Sequence, residues 1–155
     1  MKKVLIVGIG SPFGADQLGW QVIDELQQRT QIIERPPQQY ELVKLDRPGA
    51  ALVETMRGYE QVILIDAVQS GQSRGTPVVL TADEIIRNNS NLSSHGFGIA
   101  DSIALASALQ QLPDKLILTG LDIGSISEYA FTKQDVIGLG VRIMQLTGLN
   151  NVEGT

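Results

Sequence analysis

Short apolar runs alternate with longer stretches of helical periodicity along this chain of 155 residues. The β-branched run at 4–7 predicts a buried first strand, and apolar positions three and four apart predict a first helix over about 16–29. Strict alternation at 40–45 predicts a second strand nearer an edge, followed by a short helix. The run at 61–65 is the most apolar and predicts a central strand with Asp66 at its carboxyl end.

The second half of the chain continues this alternation. Its predicted segments are a strand at 77–80, a helical turn at 83–87, a polar loop at 88–96, a helix at 97–112, a strand beginning at 116–118 and a helix opening at Thr132. Too few residues precede the strand at 77–80 for a parallel crossover, so we expect it to pair antiparallel at an edge. The helix at 97–112 is apolar on most faces and should be well buried. The last helix carries a capping box, an apolar stripe that includes Leu146, and Gly148 as its C-cap.

Alternating strands and helices predict an α/β fold. We expect a single three-layer domain over residues 1–150, with a mostly parallel, twisted five-stranded sheet, one antiparallel edge strand and helices on both faces. Residues 151–155 are expected to form a C-terminal tail.

Composition narrows the possible partners and metal ligands. Twelve basic and seventeen acidic residues give a net charge of −5 without a basic cluster, so nucleic acid is not an expected partner. No uninterrupted apolar run approaches the ~20 residues of a membrane span. The chain has no cysteine, which excludes thiolate metal sites and cysteine nucleophiles. We therefore expect a soluble cytoplasmic protein whose metal ligands, if any, are nitrogen and oxygen atoms.

Several titratable residues fall where the carboxyl ends of parallel strands should meet. Asp16 begins the first helix, Asp66 ends the central strand and His95 precedes the long helix, while Asp46 and Asp122 end two other strands and could form a second shell. Two carboxylates and one imidazole make a site suited to nickel or zinc, with positions left for water or substrate. Each residue also has a structural alternative: a helix cap, a turn residue or a solvated loop histidine.

The glycine-rich loop after the first strand could instead be a nucleotide site. However, Gly8, Gly10 and Gly14 give the spacing G-x-G-x-x-x-G in place of G-x-G-x-x-G, and Pro12 removes one amide from any phosphate cradle. We expect Gly8 and Gly10 to allow a tight strand-to-helix turn and Gly19 to allow close helix packing.

Three segments together resemble the hydrogenase maturation endopeptidases, which remove a C-terminal extension from the large subunit of nickel-iron hydrogenases. These segments are 8–19, 65–67 and 94–98. The resemblance runs from end to end of the chain in the order and separation of the segments. It departs from the family pattern at Ser11, where asparagine is usual, and at Ala15, which replaces the first acid of a pair.

The resemblance implies that Asp16, Asp66 and His95 contact the metal and act in catalysis, and that Asp46 takes part in substrate recognition. It implies an endopeptidase that recognises nickel already bound to the hydrogenase large-subunit precursor, with zinc or a similar ion as a possible substitute and no nucleotide. Whether the metal activates water or serves recognition alone stays open at this point. The alternatives are a non-catalytic nucleotide- or metal-binding module, and a chaperone that binds the precursor without cutting it.

Overall fold

The computed structural model describes residues 3–29, 39–87, 98–125 and 129–148. In these residues, five strands and five helices follow one another in the predicted order. The strands are β1 (Val4–Gly10), β2 (Tyr40–Asp46), β3 (Gln61–Val68), β4 (Pro77–Thr81) and β5 (Lys115–Asp122). The helices are α1 (Leu18–Arg29), α2 (Ala51–Met56), α3 (Ala82–Arg87), α4 (Ile99–Ala108) and α5 (Lys133–Thr147), with a 3-10 turn (Gly14–Gln17) before α1.

The five strands form one sheet in the order β2-β1-β3-β5-β4. All neighbouring pairs are parallel except β4 and β5, which are antiparallel. The α/β prediction is confirmed, including β3 at the centre, β2 at one edge and the antiparallel strand at the other. The carboxyl ends of β1, β2, β3 and β5 therefore meet at one edge of the sheet, which we call the carboxyl edge.

Alternation along the strands divides the core into two layers. In β1, Leu5 and Val7 pack with the buried residues of α2, α3 and α4, whereas Ile6 packs with those of α1 and α5. Because successive strand side chains point to opposite faces, one apolar run supplies both layers. The result is the predicted three-layer arrangement, with helices on both faces of the sheet.

Two expectations about α4 were wrong. The helix ends at Ala108 and not at 112, because Gln110 takes a left-handed backbone conformation with φ of 58°. It is also less buried than its composition predicts, since Leu105 is 37% exposed and Leu109 is 52% exposed. As an outer-layer helix, α4 packs only one side against the sheet. Its other side carries exposed alanines, which made the segment look apolar on most faces in the sequence. Residue 97 lies outside the described residues.

The caps of α5 are confirmed. Thr132 Oγ1 accepts a hydrogen bond from the Asp135 amide at 3.1 Å, Asp135 Oδ2 accepts one from the Thr132 amide at 3.3 Å, and Gly148 ends the helix with φ of 74°. Leu146 is only partly buried, and Met144 is buried in its place. The predicted loop at 88–96, the boundary at 150 and the tail at 151–155 lie outside the described residues. In the described part of the chain, no helix has the length and apolar character needed to cross a membrane.

Candidate functional site

Asp66 is a buried carboxylic acid near the end of the central strand. Its side chain is 3% exposed, and its Oδ1 accepts a hydrogen bond from the Ala67 amide at 2.8 Å. Burial raises the pKa of Asp66 well above its usual value, the Ala67 amide opposes that shift, and the negative charge of Asp16 adds to it. Burial therefore disfavours the charged form of this carboxyl group, and a cation bound beside it would offset that cost.

Asp16 lies in the 3-10 turn between β1 and α1, close enough to Asp66 for its charge to be felt there. The turn is fixed by backbone hydrogen bonds from the Ser11 amide to the Asp16 carbonyl at 3.0 Å and from the Asp16 amide to the Phe13 carbonyl at 2.9 Å. Within the described residues, the Asp16 carboxylate accepts one hydrogen bond, a long one of 3.4 Å from Ser11 Oγ. Most of its coordinating capacity therefore remains available.

The glycines of this region allow the backbone to approach itself closely: Gly10 lets the turn after β1 fold back on the strand, as expected, whereas Gly8 lets α1 pack against the strand. Both lie within β1, where a Cβ at Gly8 would overlap the Gly19 carbonyl and one at Gly10 would overlap the Asp16 carbonyl. A Cβ at Gly19 would in turn overlap the Ile9 carbonyl, as expected for close helix packing. The turn itself depends on Gly14, which has φ of 51°.

His95, the only histidine of the chain, lies outside the described residues. The structure does place the start of α4, whose first residue, Ile99, follows His95 by four positions. There the Gly98 amide donates to Asp101 Oδ2 at 3.0 Å, and Ser102 Oγ donates to the Gly49 carbonyl at 2.8 Å. Since Gly49 belongs to the loop that follows β2, α4 begins at the carboxyl edge.

Asp46 ends β2 at the same edge, opposite Gly10 of β1. It is two strands away from Asp66, and its carboxylate is half exposed and paired with Arg47 Nε at 3.0 Å. Asp46 is thus accessible to a large partner, and β1 separates its strand from that of Asp66.

Asp122 has a role in loop structure that sequence reasoning missed. It is fully buried, and its oxygens accept hydrogen bonds from the Ser70 amide at 3.0 Å, the Ser70 hydroxyl, the Gln72 amide at 3.2 Å and the Gly124 amide at 2.8 Å. Burial by itself would raise the pKa of Asp122, but these hydrogen bonds outweigh it and lower the pKa below its usual value. Its hydrogen bonds hold two loops together, which differs from the metal second shell that we expected.

The charged residue Arg74 braces the same two loops. Its Nη1 donates to the Ile123 carbonyl at 3.1 Å, its Nη2 donates to the Tyr129 carbonyl at 2.6 Å, and its guanidinium lies 4.4 Å from the centre of the Phe131 ring. The positive φ values of Gly71, 86°, and of Gly124, 66°, permit the loop turns. In the sequence, only the glycines signalled these turns.

Within the described residues, no three histidine, aspartate or glutamate side chains are grouped so that they could hold a metal ion. The two carboxylates that the structure does bring near one another are those of Asp16 and Asp66. A third ligand would have to come from outside those residues or from a partner.

Comparison with known proteins relates the chain to one family. The model of a family described as hydrogenase maturation protease matches residues 20–145, a span that includes Asp46, Asp66 and His95 but begins after Asp16. Hydrogenase expression/formation protein HupM of Azotobacter chroococcum is 29% identical over 130 residues, which are 82% of this chain and 60% of that protein. HoxM of Azotobacter vinelandii is 28% identical over 82% of this chain and 61% of its own length. The chain thus spans about 60% of the length of these curated relatives.

Solved structures share the fold. Hydrogenase maturating endopeptidase HybD from E. coli superposes with a TM-score of 0.74 at 20% identity, covering 94% of each chain. The [NiFe] hydrogenase maturation protease HycI from Thermococcus kodakarensis has a TM-score of 0.69 at 18% identity, covering 95% of this chain and 93% of that one.

Proposed function

The chain belongs to the hydrogenase maturation protease family, and from that premise we propose that it is an endopeptidase that processes the precursor of a nickel-iron hydrogenase large subunit. The substrate is the precursor with its nickel already inserted, and the product is the mature subunit without its C-terminal extension. We also propose a cytoplasmic location, which agrees with a sequence that lacks cysteine.

The observation that carries this proposal is the placement of Asp16 beside Asp66 at the carboxyl edge. Two carboxylates that approach each other in a buried site repel one another, so the pair is best satisfied by a cation. Asp16 and Asp66 offer oxygen ligands without a thiolate, and they leave coordination positions to the substrate. The nickel ion of the precursor is a cation of the required kind.

His95 is the proposed third ligand. Asp66 lies on the same face of β3 as Val62, Leu64 and Val68, because side chains two residues apart point to the same side of a strand. Those three residues pack in the layer of α2, α3 and α4, so the Asp66 side chain starts on the face that α4 covers. α4 itself begins on that face, and His95 precedes its first residue by four positions in the sequence. A neutral imidazole from this segment would complete a ligand set of two oxygens and one nitrogen around the substrate's nickel.

Recognition of nickel makes the peptidase selective for finished precursors. Once Asp16, Asp66 and His95 coordinate the nickel, the peptide bond next to it is held at the carboxyl edge for attack by water. Asp46, half exposed at the end of β2, is proposed to contact the precursor surface, where its ion pair with Arg47 can open at little cost.

The nucleotide alternative has less support. The Ser11 and Asp16 amides, which would have to cradle a phosphate, both donate to carbonyls of the loop itself. The chain also lacks the basic cluster typical of phosphate sites.

The test is cleavage of a nickel-loaded precursor, followed by mass spectrometry of the released peptide. We expect Asp66→Asn to lose about 10²-fold or more in cleavage rate, as for loss of a group that orients the reacting centre. The matched control is Asp24→Asn, which removes an exposed carboxylate of α1 paired with Lys44 and should cleave like the parent. Complex formation without any released peptide would contradict the proposal and favour a chaperone.

A further inference from the structure

A cleft of about 490 Å³ lies at the carboxyl edge, beyond the ends of β3 and β5. One wall is formed by residues 69 and 71–74 of the loop after β3, and the other by residues 124 and 125 of the loop after β5. We call this space the loop cleft. No described contact of Asp16, Asp66 or Asp46 involves it, so the proposed nickel site does not explain it.

The walls of the loop cleft are held at a fixed separation. Asp122 accepts hydrogen bonds from Ser70 and Gln72 in one wall and from Gly124 in the other. Arg74 crosses the same gap to the Ile123 carbonyl. A cleft whose walls are tied by a buried carboxylate and a guanidinium needs little ordering when a ligand binds, and that favours affinity.

The side chains that line the loop cleft are mostly polar, although more of its wall surface is apolar than polar. Gln69, Gln72, Ser73 and Ser125 are exposed, and their amides and hydroxyls can both donate and accept hydrogen bonds. The guanidinium of Arg74 is engaged with backbone carbonyls, and none of the described residues that line the cleft carries a carboxylate. Amide and hydroxyl side chains beside apolar wall surface match an extended peptide, whose backbone alternates donors and acceptors and whose side chains can cover the apolar part.

The loop cleft lies within reach of a peptide held at Asp66. Gln69 follows Asp66 by three residues at the end of β3, and at a rise of ~3.3 Å per residue this separation is about 10 Å. An extended peptide covers the same distance in about three residues. A substrate bound at the carboxylate pair would therefore enter the loop cleft about three residues from its scissile bond.

We propose that the loop cleft binds the backbone of the precursor's polypeptide close to the cleavage site and so determines the register of cleavage. This inference rests on the proposed endopeptidase function. It adds a binding site for an extended peptide segment, distinct from the ligands of the nickel.

The test uses the full chain with Ser73→Trp, which places an indole in the loop cleft, and Ser107→Trp as the matched control. Ser107 is exposed near the end of α4, at the opposite edge of the sheet. We expect Ser73→Trp to raise KM for the nickel-loaded precursor about tenfold with little change in kcat, because it removes binding shared by ground and transition states. The milder variant Gln72→Ala should raise KM about threefold, as for one net hydrogen bond.

A second readout is fluorescence anisotropy of a labelled synthetic peptide that spans the cleavage site. Ser73→Trp should lose peptide binding, and Ser107→Trp should keep it. Equal peptide binding by both variants, or an unchanged KM in Ser73→Trp, would overturn the inference. Either result would leave the proposed function standing. A parent protein that binds the peptide through the cleft but never cleaves the precursor would support the cleft and refute the proposed function. If Ser73→Trp fails to fold, as judged by circular dichroism, Gln72→Ala decides by the same two measurements.

Discussion

Replacing Asp122 with alanine removes the acceptor that joins the loops after β3 and β5. Its buried carboxylate accepts three backbone amides and one hydroxyl, and a hydrogen bond to a charged group contributes roughly 1.5–3 kcal/mol. Water and loop movement will replace some of these bonds in Asp122→Ala. If the net loss equals about two of them, unfolding becomes easier by roughly 3–6 kcal/mol. That is a large part of the ~5–15 kcal/mol typical of a folded domain.

The free energy of unfolding is measured by urea denaturation at neutral pH. For a chain of this size we expect the melting temperature of Asp122→Ala to fall by roughly 6–24 °C. Asp122→Asn is the matched variant, since it keeps the shape and one acceptor oxygen and should lose about half as much. A loss of less than about 1 kcal/mol in Asp122→Ala, with an unchanged denaturant slope, would show that the carboxylate does not hold the loops.

Three further outcomes follow from named contacts. Folding lowers the pKa of Asp122 from 3.8, so the stabilisation by its carboxylate is present above pH 3.8 and is lost as pH falls through the folded pKa. The difference in unfolding free energy between the parent and Asp122→Asn, measured by urea titration, should therefore shrink below about pH 4. Gly19→Ala should destabilise the protein by about 1–3 kcal/mol in thermal unfolding, because its Cβ would overlap the Ile9 carbonyl. Gly138→Ala is the matched control, because Gly138 is exposed within α5 and its new Cβ would meet open space. This change should stabilise the protein by about 0.5–1 kcal/mol. Equal effects of the two substitutions on stability would refute the packing argument.

The sequence was sufficient for the fold because each element carries its own local signal. The apolar run of β3 marks a strand buried on both faces, and the Thr132 capping box and Gly148 mark the two ends of α5. Where the prediction failed, the deciding feature was tertiary. The end of α4 depends on the left-handed backbone conformation of Gln110. Glutamine is not a residue type that predicts this conformation, so nothing in the sequence indicated it.

The candidate site was predictable only in part. Topology alone places Asp16, Asp46 and Asp66 at the carboxyl edge, since Asp16 follows parallel strand β1 while Asp46 and Asp66 lie near the carboxyl ends of β2 and β3. Periodicity could not show that Asp122 would direct its oxygens to loop amides, because its partners lie about fifty residues away in sequence. The roles of Asp16, Asp66 and His95 toward nickel remain predictions for experiment.

The most direct test of the account compares two forms of one precursor. The hydrogenase large-subunit precursor is prepared with and without nickel, each is incubated with the parent protein, and the released C-terminal peptide is quantified by mass spectrometry. Because the proposed recognition depends on coordination of nickel by Asp16, Asp66 and His95, the nickel-loaded form should be cleaved and the nickel-free form left intact. Equal cleavage of both forms would contradict the account.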